Sequence, residues 1–384
     1  MNLNKSTLAL MILTSLTTQG FAKTPTKTEV LNYSLQMTEA FLAWPLHQGS
    51  KDVVIAVIDT GVDTYHPVLR ENLWRNPGET GVDGQGKDKS TNGIDDDGNG
   101  YIDDVHGWNF AGDNKDLTDL HGHGTHVAGI IQSTTPKTNL MILKYYDPKA
   151  DGAANLANTT KAIEYAIKMK AKIINYSGGG TTKYPDEEAA IRKAQAQGIL
   201  FVAAAGNEKS NSDIFGFYPA DYGISNIISV TAIDENRRIL PSSNFGKNSV
   251  DIAAPGHNIV STLPGGKFGT MTGTSQATAF VTGTAALLMA ENPELKDPEK
   301  LIQRLTSSGN DNAFLIGKTK HQTTLNTYRA LTMKDTNLGA FGTISTNITS
   351  QSFLEFPDKL DPNFTDAGTE ELPFKTVTDT AFVP

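Results

Sequence analysis

Three glycine-flanked segments of the chain each carry one residue of the types that together perform acyl transfer. They are VIDTGVD around Asp59, HGHGTHVAG around His123 and GTSQATAFVTG around Ser275. A serine hydroxyl is a weak nucleophile until a neutral imidazole removes its proton, and the imidazole needs a carboxylate that fixes its tautomer and stabilises its cation. Any one segment alone is a weak signal, because such residues are usually structural. Together they predict a serine nucleophile with a histidine base and an aspartate partner.

A fourth segment, AAAGNE, adds a hydrogen-bond donor to this set. Its Asn207 follows a buried apolar run through Gly206, so the side-chain amide can point into the same cleft as Ser275. Attack on a carbonyl produces a tetrahedral oxyanion, which needs preorganised donors. The Asn207 amide and the backbone N–H of Ser275 at a helix N-terminus would supply two of them, and the helix dipole adds a smaller term.

The elements that position these residues follow from the apolar pattern. Short apolar or β-branched runs predict buried strands at 53–59, 140–145, 172–176 and 199–205. Amphipathic or small-residue patterns predict helices at 156–169, 186–196, 274–290 and 298–305. Alternating strands and helices predict an α/β fold with a doubly wound, mainly parallel sheet and helices on both faces. Asp59, Ser177 and Asn207 fall at the carboxyl ends of strands, where such folds bind ligands.

At these residues the chain resembles the subtilisin-like serine proteases, or subtilases. The resemblance runs from about residue 32 to 331 and includes KDVVIAVIDTGVD, HGTHVAGI, INYSGGG, VAAAGNE, GTSQATAFVTG and LNTYRAL. It implies endopeptidase activity through an acyl-enzyme. In that reading Asp59 orients the histidine, His123 acts as general base and then acid, Ser275 is the nucleophile, and Asn207 lies in the oxyanion hole.

The same resemblance implies a substrate cleft. Backbone groups would pair with an extended peptide along Ser177, Gly178 and Gly179, opposite the segment 145–152. The pocket for the P1 residue, which precedes the cleaved bond, would be lined by Ala204, Ala205 and Gly206. In FGFYP, Phe215 or Phe217 falls near a position where family members often keep glycine. We therefore expect a shortened P1 pocket that disfavours Phe and Tyr.

An acidic insert between Asp59 and His123, NGIDDDGNGYIDD, predicts a structural calcium site. Closely spaced carboxylates repel one another unless a cation binds, and oxygen ligands suit Ca²⁺. The first half matches an oxygen-ligand calcium loop, whereas position twelve is His106 rather than glutamate. A solvated acidic loop is the alternative. The expected ligand residues are Asp95, Asp97, Asn99, Tyr101, Asp103 and Asp104.

Composition and the chain ends limit the partners. The 384 residues carry 33 basic and 42 acidic side chains and no cysteine. The acidic balance argues against nucleic-acid binding, and the lack of cysteine excludes disulfides, cysteine-ligated zinc and a thiol nucleophile.

Residues 1–22 have the pattern of a secretory signal peptide, so we expect export to an extracellular or periplasmic location. Residues 23–333 form the predicted peptidase domain. Residues 334–384 form an acidic tail with six phenylalanines, expected to be extended or partly disordered.

We expect a monomer that acts on protein or peptide substrates without contacting a membrane after signal cleavage. Two other functions stay open. Ala279 stands where the family usually has proline, so the first turn of the serine-bearing helix can relax and favour an amine over water, as in a peptide ligase or cyclase. A pseudoprotease that only binds is the second alternative, although it would have no need of four chemically matched groups.

Overall fold

A large sheet and a small one organise the chain. The computed structural model describes residues 33–334 and the strand Val377–Thr378; the predicted signal peptide and almost all of the predicted tail lie outside these residues. The strands are β1 Val54–Asp59, β2 Gly107–Asn109, β3 Asn139–Lys144, β4 Ile173–Tyr176, β5 Leu200–Ala204, β6 Ile227–Ile233, β7 Ile252–Pro255, β8 Ile259–Leu263, β9 Lys267–Thr272, β10 Asn310–Asp311, β11 Thr323–Thr324 and β12 Val377–Thr378.

The helices follow the strands in alternation through the middle of the chain. They are α1 Ala40–Ala43, α2 His123–Thr134, α3 Gly152–Lys168, α4 Pro185–Ala196, α5 Thr274–Glu291, α6 Pro298–Ser307 and α7 Thr327–Thr332. Short 3₁₀ turns cover Arg70–Asn72, Pro293–Lys296 and Ala313–Leu315. Within these described residues, no helix combines the length and the apolar character that a bilayer crossing requires.

The large sheet has the strand order β10-β11-β7-β6-β5-β4-β1-β3-β2, and its pairs are parallel except β10 with β11. Strands β1, β4 and β5 are almost wholly buried, as their continuous apolar runs predict. One apolar layer contains α2 and α5 on one face of the sheet, and a second layer contains α3 and α4 on the other. The predicted doubly wound α/β fold is therefore confirmed.

The small sheet lies next to the large one and leads into α5. Strands β8 and β9 form an antiparallel pair, and β12 adds to β9 in parallel. Helix α5 follows β9 through Gly273 and is buried from Thr274 to Met289. Its small residues, buried on every side, allow α5 to cross close beneath the strands and pack against α2.

Candidate active site

Asp59 and His123 form a buried hydrogen-bonded pair at the carboxyl end of the sheet. Asp59 is the last residue of β1, and His123 is the first residue of α2. His123 Nδ1 lies 2.7 Å from Asp59 Oδ1, and both side chains are 3% exposed. The carboxylate can only accept, so Nδ1 carries the hydrogen and Nε2 of a neutral imidazole is left as the basic nitrogen. This is the tautomer that a general base needs.

A second buried carboxylate, Asp119, holds the two elements of this pair together. Asp119 Oδ1 accepts from the Thr60 hydroxyl (2.9 Å) and from the Gly122 amide (2.8 Å). Its Oδ2 accepts from the amide and the hydroxyl of Thr125, at 2.9 and 2.6 Å. Asp119 is not among the residues predicted from the sequence, although an acidic residue just before a helix start is a recognisable capping signal. Asp119 thus ties the end of β1 to the first turn of α2.

Ser275 lies in the first turn of α5, which packs against α2. Its hydroxyl donates to the carbonyl oxygen of Ser177 at 3.0 Å, directly after β4. The Ser177 hydroxyl in turn lies 3.3 Å from the Ser275 carbonyl oxygen, and Asn175 Nδ2 donates to the Ser177 hydroxyl at 3.1 Å. Since α2 and α5 both begin at this edge of the sheet, the structure brings His123 and Ser275 to the same end of the fold.

Asn207 is oriented by the backbone at the start of α5. Its Oδ1 accepts from the Thr274 amide at 3.0 Å and from the Thr274 hydroxyl at 3.3 Å. Because Oδ1 is held in this way, Nδ2 is the atom of the Asn207 amide that can donate to a ligand. The preceding Gly206 has a φ of +100°, and a Cβ there would come within 2.5 Å of Asn244 Nδ2. Only glycine fits this position, which fixes the turn that presents Asn207.

A small pocket adjoins Ser275, with a volume of about 20 Å³. Phe217 lies against it and is 7% exposed, whereas Phe215 is 68% exposed and points to solvent. Phe217, and not Phe215, is therefore the residue expected to shorten the P1 pocket. Of the predicted lining residues, Ala205 is not among those at the pocket; its amide pairs with the Val230 carbonyl oxygen in the sheet. The lining residues are Ser177, Gly178, Gly179, Ala204, Gly206, Asn207, Glu208, Phe217, Thr274 and Ser275.

Beside the acidic insert, the structure gathers a carboxylate cluster that differs from the predicted ligand set. Oxygen atoms of Glu79, Asp97 and Asp104 all lie within 4.8 Å of one another. Glu79 is fully buried, and its Oε2 has no hydrogen-bond partner among the described residues. Burial and the neighbouring carboxylates raise the pKa of Glu79, and burial raises that of Asp104. The donor set of this cluster fits a cation, and Glu79 is a member of it that was not predicted from the sequence.

The other predicted metal residues have different contacts. Asp95 accepts from the amides of Asn99 and Gly100, which closes the loop. The Asn99 side chain donates to Asp104, and Asp103 pairs with Lys115 at 2.7 Å. The Tyr101 ring packs edge-on against Trp108, Phe110 and Tyr165. Asp97 and Asp104 are therefore the two predicted residues that the structure places in the cluster.

Comparison with known proteins gives the family. A model described as the subtilase family matches residues 50–337. The thermophilic serine proteinase of Bacillus sp. (strain AK1) is 33% identical over 312 residues, which cover 78% of this chain and 67% of that protein. The major intracellular serine protease of Bacillus subtilis (strain 168) is 32% identical, over 72% of this chain and 78% of that protein.

Solved structures agree on the fold. A crystal structure of a lanthipeptide protease matches with a TM-score of 0.64 at 23% identity, covering 80% of this chain and 96% of that one. A cold adapted subtilisin-like serine proteinase matches with a TM-score of 0.58 at 25% identity, covering 73% of this chain and 90% of that one. With the family model spanning most of the described residues, the chain belongs to the subtilase family of serine proteases.

Proposed function

We propose that this subtilase is an exported endopeptidase that hydrolyses peptide bonds through an acyl-enzyme on Ser275. The observation that carries the proposal is the buried Asp59–His123 pair, 2.7 Å apart, at the start of a helix packed on the one that bears Ser275. His123 Nε2 takes the hydroxyl proton as Ser275 Oγ bonds to the substrate carbonyl carbon. Asp59 stabilises the imidazolium that results.

The remaining steps use donors at the start of α5. The carbonyl oxygen becomes an oxyanion and is stabilised by Asn207 Nδ2 and the Ser275 backbone N–H. His123 then gives its proton to the leaving amine, and the peptide bond breaks. Water, deprotonated by the same imidazole, attacks the acyl carbon. The bond from that carbon to Ser275 Oγ then breaks, His123 returns the proton to Oγ, and the acid is released. The small pocket beside Phe217 favours a small P1 residue such as alanine over phenylalanine or tyrosine.

Labelling with a fluorophosphonate tests whether the nucleophile is activated. The purified protein should react, and the Ser275→Ala variant should not. Folded protein that fails to label would support the pseudoprotease alternative. Adding an amine acceptor during peptide cleavage separates hydrolysis from ligation: the ligase alternative, which rests on the buried Ala279 in α5, requires an amide product in excess of the acid.

We also propose that a calcium ion binds at Glu79, Asp97 and Asp104 and stabilises the fold. The support is the cluster of three carboxylates together with the buried, unpartnered Glu79 Oε2. A bound cation would offset their mutual repulsion. Calcium should raise the unfolding temperature of the Ser275→Ala protein and chelation should lower it. Glu79→Gln should weaken this response while Asp52→Asn, an exposed control, should keep it; an equal response in both variants would contradict the assignment.

Export is proposed from the pattern of residues 1–22. Fractionation of an expressing bacterial culture tests it. The full chain should be recovered outside the cytoplasm and shortened by about 22 residues, as measured by mass spectrometry of the N-terminus. A chain that lacks residues 2–22 should stay in the cytoplasm. Recovery of the uncut full chain in the cytoplasm would instead match the location in the names of the intracellular relatives.

A further inference from the structure

Glu187 is a buried carboxylate that the proposed catalytic steps do not use. It lies in the first turn of α4, shortly after the predicted substrate-binding segment 177–179, and is 1% exposed. Its Oε2 accepts from the Tyr222 hydroxyl at 2.9 Å. Its Oε1 is buried without a hydrogen-bond partner among the residues that the structure describes. An ionised carboxylate in this position lacks a second donor, and leaving it unpaired is costly.

Tyrosine rings connect Glu187 to the substrate-binding segment. A Cβ added at Gly178 would lie 2.5 Å from the Tyr145 hydroxyl and 3.1 Å from the Tyr176 ring, so both rings pack directly against Gly178. Tyr145 and Tyr176 also stack edge-on, with centroids 5.4 Å apart. Burial raises the pKa of the Tyr176 phenol, and the charge of Glu187 raises it further. The rings of Tyr145 and Tyr176, here called the aromatic wall, thus line the position where an extended peptide would lie, and Glu187 is within electrostatic range of Tyr176.

A second pair of tyrosines, Tyr218 and Tyr222, already holds a cation. Tyr218 stacks on Tyr222 with ring centroids 5.0 Å apart, and the Tyr218 backbone pairs with Gly180 just beyond the substrate-binding segment. The ammonium group of Lys183, an exposed residue, stands 5.1 Å from the centre of the Tyr218 ring. Aromatic faces with a carboxylate behind them are the environment that lysine and arginine side chains prefer. The exposed Lys183 can move aside for a substrate.

We propose that Glu187 selects substrates with lysine or arginine two or three residues before P1, at P3 or P4. The basic head group would supply the missing donor to Glu187 Oε1 while its methylene stem lies against the tyrosine rings. An acidic or neutral residue at that position would leave the carboxylate oxygen unpaired. The excess of acidic side chains in the chain, 42 against 33, favours the approach of such peptides. This inference rests on the proposed endopeptidase function.

A series of fluorogenic peptides tests the inference. All peptides share alanine at P1 and differ only at P3 or P4, where they carry lysine, arginine, norleucine or glutamate. At one of the two positions, kcat/KM for lysine or arginine should exceed that for norleucine by at least about tenfold, the scale of a buried charge pair. In Glu187→Gln that ratio should fall close to one. In Glu188→Gln, the half-exposed neighbour that pairs with Arg192 on the surface, it should persist.

The outcomes separate this inference from the proposed function. Cleavage at equal rates across the series would overturn the role of Glu187 and leave the endopeptidase intact. A preference for basic residues that survives Glu187→Gln would also overturn it, because another acidic group would then be responsible. Failure to cleave any peptide, the norleucine peptides included, would count against the proposed function itself. Thermal unfolding of both variants shows that each is folded under assay conditions.

Discussion

Glu187 should make the stability of this protein fall as the pH rises. Burial raises its pKa to about 7 from an ordinary value of 4.5, although the Tyr222 hydrogen bond opposes the rise. A carboxyl group whose pKa is higher in the folded state contributes stability that is fully present below its unfolded pKa and is lost as the pH rises through the folded one. The difference between the two pKa values corresponds to roughly 3 kcal/mol of unfolding free energy. Of this contribution, about 2.5 kcal/mol is lost between pH 5 and pH 8.

The substitution Glu187→Gln isolates this contribution. Glutamine has nearly the same shape, can still accept from Tyr222 and cannot ionise. At pH 5 the two proteins should have similar free energies of unfolding, and at pH 8 the variant should be more stable by roughly 2 to 3 kcal/mol. Equilibrium urea unfolding, followed by tryptophan fluorescence in a Ser275→Ala background that prevents self-digestion, measures the difference at each pH.

The matched control is Glu188→Gln on the same helix turn. Glu188 forms an i, i+4 pair with Arg192 at the surface, so its removal should change stability by no more than about 0.5 kcal/mol at either pH. Other buried carboxylates, such as Asp221 with a pKa raised to about 6, contribute equally to all three proteins and cancel in the comparison. If the unfolding free energies of wild type and Glu187→Gln run parallel from pH 5 to pH 8, burial does not raise the pKa of Glu187 in the folded protein.

Three further predictions concern the active site. Asn207→Ala should lower kcat by about 10²- to 10³-fold with little change in KM, the range established for this donor in subtilisin. Phe217→Ala should enlarge the P1 pocket and raise kcat/KM for phenylalanine at P1 relative to alanine, as measured with matched peptides. Asp119→Asn should lower kcat and the unfolding temperature together, because an amide cannot accept all the hydrogen bonds that Asp119 receives, each worth about 1 to 3 kcal/mol when unmade. An unchanged kcat in Asp119→Asn would refute its positioning role.

The sequence predicts the centre of the fold well because its signals there are local. Continuous apolar runs lie on the central strands, and the strands β1, β3, β4 and β5 begin and end within a residue or so of the predicted ranges. Helix α3 instead begins at Gly152, four residues before the predicted start, because Asp151 caps it by accepting from the Ala154 amide. Strands β6 to β9 were not predicted, although β6 is a continuous buried run, IISVTAI, of the same kind as the central strands. The signal of the others is weaker, because β7 has only four residues and β9, which pairs with β8 as a hairpin, is mostly half-buried or exposed.

The site was predictable to the extent that its residues sit in distinctive local motifs. The four residues predicted to act in catalysis lie in glycine-bounded turns. The structure places all of them at the carboxyl end of the sheet: Asp59, His123, Asn207 and Ser275. Contacts between distant segments carry no such signature. Glu79 joins the acidic cluster from a loop well upstream, and the assignment of Phe217 rather than Phe215 to the pocket depends on how one short loop folds.

Four of the buried carboxylates of this protein differ in the hydrogen-bond donors around them. Both oxygens of Asp119, and Oδ1 of Asp59, accept hydrogen bonds at short distance from amides, hydroxyls or imidazole, and these bonds hold backbone and side chains in place. Glu79 and Glu187 each have one oxygen satisfied and the other buried without a partner in the described part of the chain. Because an unpaired buried oxygen is costly, these two positions favour a positive ligand from outside the chain. This difference in donors supports the two proposals made above, a metal ion at Glu79 and a basic side chain at Glu187.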